Sequence, residues 1–212
     1  MYTGANRTID GRLDVEIPAS NTNLRLRDVA WEGRALHRPL YYGGRGAVYL
    51  WKLGRFEVGP EFEFIHMKVF LKTERQASAS GLLLGVPRST VRVDEVFESF
   101  SISHGVDLFL LSAAVRRPLA HGRLLLVGRF GAGVNIAHFE SKPRGLPYFE
   151  HDRFGGLVYH AAGGLEVPVA GHFGVLLEYK FTSADPRGPL VSGHAKAHLD
   201  THHVIAGITL RW

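Results

Sequence analysis

The sequence predicts an all-β protein, an eight-stranded antiparallel up-and-down transmembrane β-barrel with short periplasmic turns and long external loops. Segments that alternate apolar and polar residues recur eight times along the 212 residues. The links between these segments alternate between short and long. No run of about 18 apolar residues is present, so the sequence contains no membrane-spanning helix. We expect residues 1–212 to form one barrel domain.

The carboxy-terminal segment shows the alternation most clearly. One side of the predicted strand is apolar and consists of Val204, Ala206, Ile208, Leu210 and Trp212. The other side is mixed and consists of His203, Ile205, Gly207, Thr209 and Arg211. Chain ends usually fray in water, so an aromatic last residue indicates partners on both edges or an apolar medium around the strand. A closed barrel in a membrane meets both conditions.

The other predicted strands share this alternation, and helical periodicity is poor throughout. The eight segments lie at residues 1–8, 39–51, 56–72, 104–119, 122–140, 154–169, 172–184 and 198–212. An even number of strands is what single-chain bacterial barrels require. The links after the second, fourth and sixth segments are brief, whereas the others are long and polar. The long links lie at 9–38, 73–103, 141–153 and 185–197.

Polar faces of these segments point into the predicted barrel. In the seventh segment Glu178 and Lys180 oppose an apolar face made of Val175, Leu177, Tyr179 and Phe181. Isolated buried charges are too costly to persist, so charges in a narrow interior must pair. The expected partners are Arg45, Arg123 and Arg129 on one side and Glu57, Glu61, Glu63, Glu166 and Glu178 on the other. Because side chains fill the interior of an eight-stranded barrel, we expect no pore.

The composition is compatible with this fold and limits the classes of binding partner. The chain has 25 Gly, no Cys and a net charge of +5. The absence of Cys excludes disulfides and thiolate–metal sites. The basic residues are scattered without a Lys/Arg block, which argues against nucleic acid and favours a surface of anionic lipid. Residues 1–8 lack the basic and apolar regions of a signal peptide, so we expect the sequence to begin on a processed or recombinant chain.

Histidines, lysines and carboxylates gather where several predicted strands reach the outer membrane boundary. The candidate catalytic residues at this rim are His66, Lys68, His104, His138, Glu140 and His203. Imidazole beside carboxylate binds a divalent cation or transfers protons, here to or from a lipid headgroup. We expect His66, His138, Glu140 and His203 to converge near Lys68 and Lys180 inside the barrel. The alternative interpretation is a polar girdle where the strands emerge into headgroups.

Several segments resemble a known family over most of the chain from Trp31 onward. The similar stretches are WEGRALHRPLYYGGRG, EFEFIHMKVF, SISHGVDLFLL, AHFE, LEYKF and LDTHHVIAGITLRW. They resemble outer-membrane barrel proteins identified as lipid A oxidases. The resemblance implies oxygen-dependent oxidation of the proximal glucosamine of lipid A to aminogluconate, aided by a divalent cation whose identity the sequence does not give. It carries over no catalytic set, and the part of this chain before its first long loop is shorter than the family pattern.

Three classes of function are therefore compared. The first is a lipid A-modifying enzyme of the bacterial outer membrane, with lipopolysaccharide as its lipid. The second is a non-catalytic envelope barrel that anchors, seals or contacts protein partners through its external loops. The third is a soluble ligand-binding barrel of the lipocalin type, which the charged interior argues against, since such barrels are apolar inside. A Ser–His hydrolase built on Ser101 or Ser103 beside His104 is disfavoured, because catalytic pairs are seldom sequence neighbours.

Overall fold

A computed structural model describes residues 1–35, 37–38 and 40–212, with the backbone alone at His104. The described residues form seventeen β-strands, three single-turn 3-10 helices and no α-helix. The first ten strands are β1 (Tyr2–Thr8), β2 (Gly11–Ile17), β3 (Thr22–Val29), β4 (Trp31–Glu32), β5 (Tyr42–Ala47), β6 (Trp51–Leu53), β7 (Phe56–Leu71), β8 (Gln76–Leu83), β9 (Val86–Pro87) and β10 (Thr90–Arg92). The others are β11 (Phe97–Leu119), β12 (Leu124–Pro143), β13 (Phe149–Ala170), β14 (Phe173–Ala184), β15 (Arg187–Leu190), β16 (Gly193–Ala197) and β17 (Leu199–Leu210). The 3-10 helices are Pro18–Ser20, Val93–Glu95 and Ala120–Gly122.

Eight of the strands close into an antiparallel barrel, which confirms the predicted fold class at this level. The strand order is β11-β12-β13-β14-β17-β1-β5-β7, and the pairing of β7 with β11 closes the ring. The carboxy-terminal strand β17 pairs with β14 on one edge and β1 on the other, as its sequence pattern predicts. The closed ring leaves this strand no free edge at which another chain could pair.

Three barrel strands extend beyond their predicted bounds. The strand β11 begins at Phe97 rather than at residue 104, β12 continues to Pro143, and β13 begins at Phe149 rather than at residue 154. These extensions rise at the end of the barrel that carries the long links. Their inward and outward faces differ in polarity from those of the lower parts, so the alternation expected of a lipid-facing strand stops short of them.

The long links form a second antiparallel sheet above this end of the barrel. Its strand order is β10-β8-β3-β2-β16-β15, with β9 paired to β8. The sheet grows out of the barrel wall, because β2 and β16 continue the ladder of β1 and β17 upward. At the junction the Ile9 amide donates to the carbonyl of Asp200 at 2.8 Å. The His198 amide donates to the carbonyl of Arg12 at 2.9 Å.

The upper barrel and the second sheet enclose one apolar core. The Phe139 ring, on β12, packs edge-on against Phe100 of β11 at 5.8 Å between ring centroids. Gly188 of β15 lies against the same ring, where an added Cβ would come within 2.3 Å of Phe139. The second sheet contributes Leu13, Val15, Leu24, Leu26, Val91, Ala195 and Ala197, and the barrel strands contribute Ile65, Met67, Ile102, Val106, Leu108 and Val158. This half of the molecule is therefore packed like a soluble β-protein.

The lower interior is polar and its charges pair, as predicted, but Glu57 pairs with Arg116 and Glu166 with Arg211 rather than with the expected arginines. Glu178 accepts hydrogen bonds from Arg45 at 2.7 and 2.9 Å and also pairs with Arg129. Arg129 donates to Glu61 at 2.8 and 2.9 Å. Lys180 pairs with Glu63, whose carboxylate also accepts the Tyr2 hydroxyl at 2.5 Å.

The third cation of this network is Lys180 rather than Arg123. The side chain of Arg123 is exposed at the turn that follows Ala120–Gly122, so its expected pairing inside the barrel is wrong. This network, made of Arg45, Arg129 and Lys180 with Glu61, Glu63 and Glu178, thus holds three cations against three carboxylates in direct contact. Each charge is compensated locally, which is the condition under which buried ions persist.

The outer wall of the lower half is apolar. The seventh predicted segment behaves as expected, since Val175 and Leu177 are exposed and Phe181 is half-buried against the ring of His202. Other exposed apolar side chains of this wall are Phe62, Leu111, Leu126, Phe130, Ile136, Phe154, Leu157, Tyr159, Leu165, Val167, Phe173, Tyr179, Val204, Ile208 and Leu210. Polarity is therefore inverted along the barrel axis, with a polar interior and apolar wall below and an apolar core above.

Candidate functional site

The predicted rim residues divide into an outer and an inner group. His66 and Lys68 lie on β7, and His138 and Glu140 lie on β12, all on the outer face of the barrel wall. His203 is buried inside the barrel on β17. The side chain of His104 lies outside the described part of the chain. The expectation that these residues meet inside the barrel is therefore wrong for the outer group.

Strict alternation along β7 explains the outward position of His66 and Lys68. Ladder pairing of β7 with β5 runs without a register shift from Glu61 to His66. Glu61 and Glu63 face the interior, so the even-numbered residues face outward. The change of parity from glutamates to histidine and lysine reflects a change in the polarity of the outer wall, where Phe62 and Phe64 give way to polar residues. No bulge in β7 is needed to explain this change. His66 and Lys68 stay on the outer face and lie above the apolar part of the wall.

The first part of the outer group is a His–Asp pair across β7 and β11. The Nδ1 atom of His66 lies 2.7 Å from Oδ1 of Asp107. The ring of Tyr42 stacks on His66 with 5.0 Å between the centroids. A bulge in β11 between Ile102 and Val106 makes room for the imidazole. Gly105 lies in this bulge with φ of 143°, and an added Cβ would come within 2.5 Å of the His66 ring.

The second part of the outer group is centred on Glu140. Its carboxylate accepts a hydrogen bond from the Ser101 hydroxyl at 3.3 Å and another from the Ser103 hydroxyl. One oxygen lies 3.8 Å from Nε2 of His138. The other imidazole nitrogen, Nδ1, lies 2.7 Å from Oδ1 of Asp152 on β13. His138 and Asp152 are directly opposite in the β12–β13 ladder, so the register of these strands sets this contact.

These groups lie directly above the apolar wall, and Glu140 lies one further outward position above His138. On each of four neighbouring strands, the next outward residue below is apolar. The four pairs are His66 above Phe64, Asp107 above Phe109, His138 above Ile136, and Asp152 above Phe154. We call the set Tyr42, His66, Ser101, Ser103, Asp107, His138, Glu140 and Asp152 the outer strip. It marks the level at which the wall changes from apolar to polar.

The inner residues have a different environment. His203 is fully buried, with Nδ1 3.0 Å from the Tyr41 hydroxyl and Nε2 2.9 Å from the Thr182 hydroxyl. Both ring nitrogens are therefore engaged within the fold. Lys180 belongs to the charged interior with Glu63. These two residues contribute to packing and charge balance inside the barrel and do not reach the outer strip.

Lys68 points outward but is held by the loop that follows β4. Its ammonium donates to the carbonyl of His37 at 2.6 Å. The side chain is covered, since Lys68 is 4% exposed. Lys68 therefore fixes a segment of the link between β4 and β5 against the barrel wall rather than presenting its charge to solvent.

The outer strip contains imidazole and carboxylate side chains, which are chemically able to transfer protons. Imidazole changes charge near neutral pH, and a carboxylate on the other ring nitrogen fixes the tautomer and orientation of the ring. His66 with Asp107 and His138 with Asp152 each have this arrangement. Among the described residues there is no group of three or more His, Asp or Glu side chains arranged to hold a metal ion.

Sequence reasoning missed Asp152 and the bonding role of the two serines. Asp152 falls in a stretch interpreted as a loop, at residues 141–153, whereas the structure places it on β13. The signal that identifies this contact is the pairing of β12 with β13. Had β12 and β13 been paired outward from their short link, His138 and Asp152 would have been recognised as cross-strand neighbours on one face.

Searches of protein-family models and of curated proteins returned no match to this chain. The function is therefore argued from the barrel, its polarity and the outer strip.

Proposed function

We propose that the chain is an outer-membrane protein whose lower barrel half lies in lipid. The inverted polarity carries this proposal, because side chains that face hydrocarbon are apolar while interior charges pair with one another. The outward apolar residues of β12 extend from Leu126 to Ile136, and those of β14 from Phe173 to Phe181. These stretches match the roughly 9–11 residues that a tilted strand needs to cross a bilayer.

The connections at the two ends of the barrel support one orientation across the membrane. At the lower end two residues link β6 to β7 and two link β13 to β14, whereas the second sheet occupies the upper end. Outer-membrane barrels have short periplasmic turns and larger external connections. We therefore orient the second sheet toward the exterior of the cell. No helix among the described residues is long and apolar enough to cross a membrane.

A soluble ligand-binding barrel fits this distribution poorly. Such a barrel would place apolar side chains inside and polar side chains outside. Here the lower interior holds Arg45, Arg129 and Lys180 with their glutamate partners. The surrounding wall exposes a continuous apolar belt much larger than the scattered apolar residues that soluble surfaces tolerate.

We propose further that the outer strip acts on lipid A. The strip lies where the apolar wall ends, which in the proposed orientation is the level of the headgroups in the outer leaflet. Its imidazole–carboxylate pairs face outward, so a sugar ring of a neighbouring lipid could reach them without entering the barrel. The family resemblance implies oxidation of the proximal glucosamine to aminogluconate, with molecular oxygen accepting the two electrons and a divalent cation aiding the reaction. In such a reaction the strip would remove or supply protons at the sugar, with Glu140 and His138 nearest its centre.

The structural alternative makes a different prediction for the same residues. In a non-catalytic barrel the strip is only a polar girdle that hydrogen-bonds to water and headgroups. The hydrogen bonds within the strip satisfy that role as well as the enzymatic one. The two proposals make different predictions for the composition of lipid A, because only the enzymatic proposal predicts a modified species.

Mass spectrometry of lipid A tests the enzymatic proposal. Cells that express the parent chain should contain a lipid A species differing in mass by the conversion of one glucosamine, and cells without the chain should lack it. Glu140→Gln and His138→Asn should abolish this species, because each replaces a proton-transferring group with a polar amide that does not titrate. The matched control is His194→Asn, since His194 pairs with Glu16 on the second sheet, away from the strip.

Heat-modifiable migration, which is the difference in electrophoretic migration between heated and unheated samples of each variant, shows whether the barrel is folded in the same membranes. If lipid A is identical in cells with and without the parent chain, the enzymatic proposal is wrong and the structural barrel is the better account. If Glu140→Gln and His138→Asn fold and keep the modification, the outer strip is not the catalytic site.

A further inference from the structure

A large cleft opens on the outer wall beside β1, away from the outer strip. Its volume is about 1060 Å³. One side is the outer face of β1 and β17, and the other side is formed by the end of β3, by β4 and by the residues that follow β7. None of the outer-strip residues lines it.

The cleft exists because β1 lacks a complete ladder on one edge. It pairs with β5 only through Tyr2 and Thr3. Above Thr3 the described residues give β1 a ladder partner on one side alone, which is β17. The side chain of Asn6 bridges part of the gap by donating to the carbonyl of Lys68 at 3.2 Å. The barrel wall is therefore open beside β1 in its upper half, above the pairing of β1 with β5.

Three cations line the cleft, namely Arg7, Lys72 and Arg75. None of them forms an ion pair with a described residue. Two arginines of the second sheet differ from them, since Arg25 pairs with Asp14 and Arg92 with Asp94. The cleft also contains Asp10 and Asp28, so the cations exceed the carboxylates by one. Unpaired cations grouped in one concave site favour an anion that carries several oxygen acceptors.

Two buried polar atoms in the lining also lack a partner among the described residues. They are Nε1 of Trp31 and Oδ1 of Asn6. Both side chains are at least nine-tenths buried. Each atom is closed off from solvent by the surrounding protein, so these two atoms do not face the cleft and the cations alone define its chemistry.

The position of the cleft along the barrel axis favours an amphiphilic ligand. Its lower lining includes Ala5 and Val204, which belong to the apolar wall, and Val204 is 57% exposed. Its upper lining holds Lys72 and Arg75. Arg7 and His202, which face each other in the β1–β17 ladder, lie one outward position above Ala5 and Val204. The cleft thus spans the same polarity boundary as the outer strip, on a different part of the circumference.

We propose that this cleft binds the phosphate-bearing headgroup of a membrane lipid, with the acyl chains lying along the apolar wall below Val204. The phosphate would lie among Arg7, Lys72 and Arg75. The proposal rests on the membrane placement proposed above but not on the lipid A reaction. Binding here would hold a phosphorylated lipid at the headgroup level while the outer strip remains free.

Native mass spectrometry of the purified full chain in detergent micelles tests the cleft. The probes are short-chain phosphatidic acid, phosphatidylcholine with the same chains, and inorganic phosphate. The test variant is Arg7→Gln/Lys72→Gln/Arg75→Gln. The control is Lys52→Gln/Arg55→Gln/Arg123→Gln, which removes the same charge from exposed residues at the lower end of the barrel. Heat-modifiable migration confirms that each variant is folded.

The parent and the control should bind phosphatidic acid equally and more tightly than phosphatidylcholine. The cleft variant should bind phosphatidic acid at least about tenfold more weakly, because charge-assisted hydrogen bonds to phosphate are lost. Equal weakening in both triple variants would show that net charge alone attracts the lipid and would overturn the proposal. Inorganic phosphate binding as tightly as the lipid would overturn the lipid assignment.

This experiment separates the cleft from the outer strip. Glu140→Gln should bind phosphatidic acid like the parent chain, whatever it does to lipid A. Loss of phosphatidic acid binding in folded Glu140→Gln would show that the cleft is not the binding site. Fractionation of cells tests the shared assumption, because a parent chain absent from the outer membrane would refute the membrane placement on which the cleft proposal rests.

Discussion

Glu178→Gln should lower the free energy of unfolding by about 3–5 kcal/mol, the cost of breaking a buried ion pair by removing one partner. Glutamine keeps the shape of the side chain but removes the charge that Arg45 and Arg129 share. Three cations would then face the two carboxylates of Glu61 and Glu63. Urea unfolding in phospholipid vesicles, followed by tryptophan fluorescence, measures the effect.

An exposed ion pair provides the control. Asp14 accepts a hydrogen bond from Arg25 and forms an ion pair with Arg12 on the second sheet. Asp14→Asn should cost no more than about 1 kcal/mol, because exposed pairs are screened by water. A second variant tests charge balance directly, since Glu178→Gln/Lys180→Met restores two cations against two carboxylates and should recover part of the loss. If Glu178→Gln costs no more than Asp14→Asn, the interior network does not stabilise the barrel.

The sequence predicts the lower barrel well because each strand there obeys one rule. Alternation with a period of two separates the two faces of each strand, and here one face is apolar on the outer wall while the other is polar in the interior. Leu177 and Glu178 are adjacent and point opposite ways, as their chemistry requires. The same rule, applied strictly, also places His138 outward with Ile136 and His203 inward with Thr201. Their expected convergence failed because it set aside parity in favour of height along the barrel.

The upper half was harder to predict because its contacts are non-local. The second sheet is assembled from three separate links, and its short strands become stable only when they pair across the chain. For example, β3 pairs with β8 although about fifty residues separate them. Short segments such as β9 and β10 carry no recognisable period. The partnership of His138 with Asp152 depends on the register of β12 and β13, which a pattern confined to one strand cannot supply.

The membrane placement makes its sharpest prediction at Leu177. Leu177→Arg should lower the free energy of unfolding in phospholipid vesicles by about 2–4 kcal/mol, because this residue lies midway along the lipid-facing part of β14. The matched control is Leu84→Arg, in the turn between β8 and β9 of the second sheet. The two leucines are similarly exposed, at 60% and 66%, so burial within the protein does not distinguish them.

The difference between the two variants reports only what surrounds each leucine. A charge placed on an exposed residue in water usually changes stability by less than about 0.5 kcal/mol. Leu84→Arg should therefore unfold at the same urea concentration as the parent chain, while Leu177→Arg unfolds earlier and inserts poorly into the outer membrane of cells. If both arginines are tolerated alike, the apolar wall faces water. The lipid-level assignments of the outer strip and of the cleft would then both be wrong, because each depends on that wall lying in the bilayer.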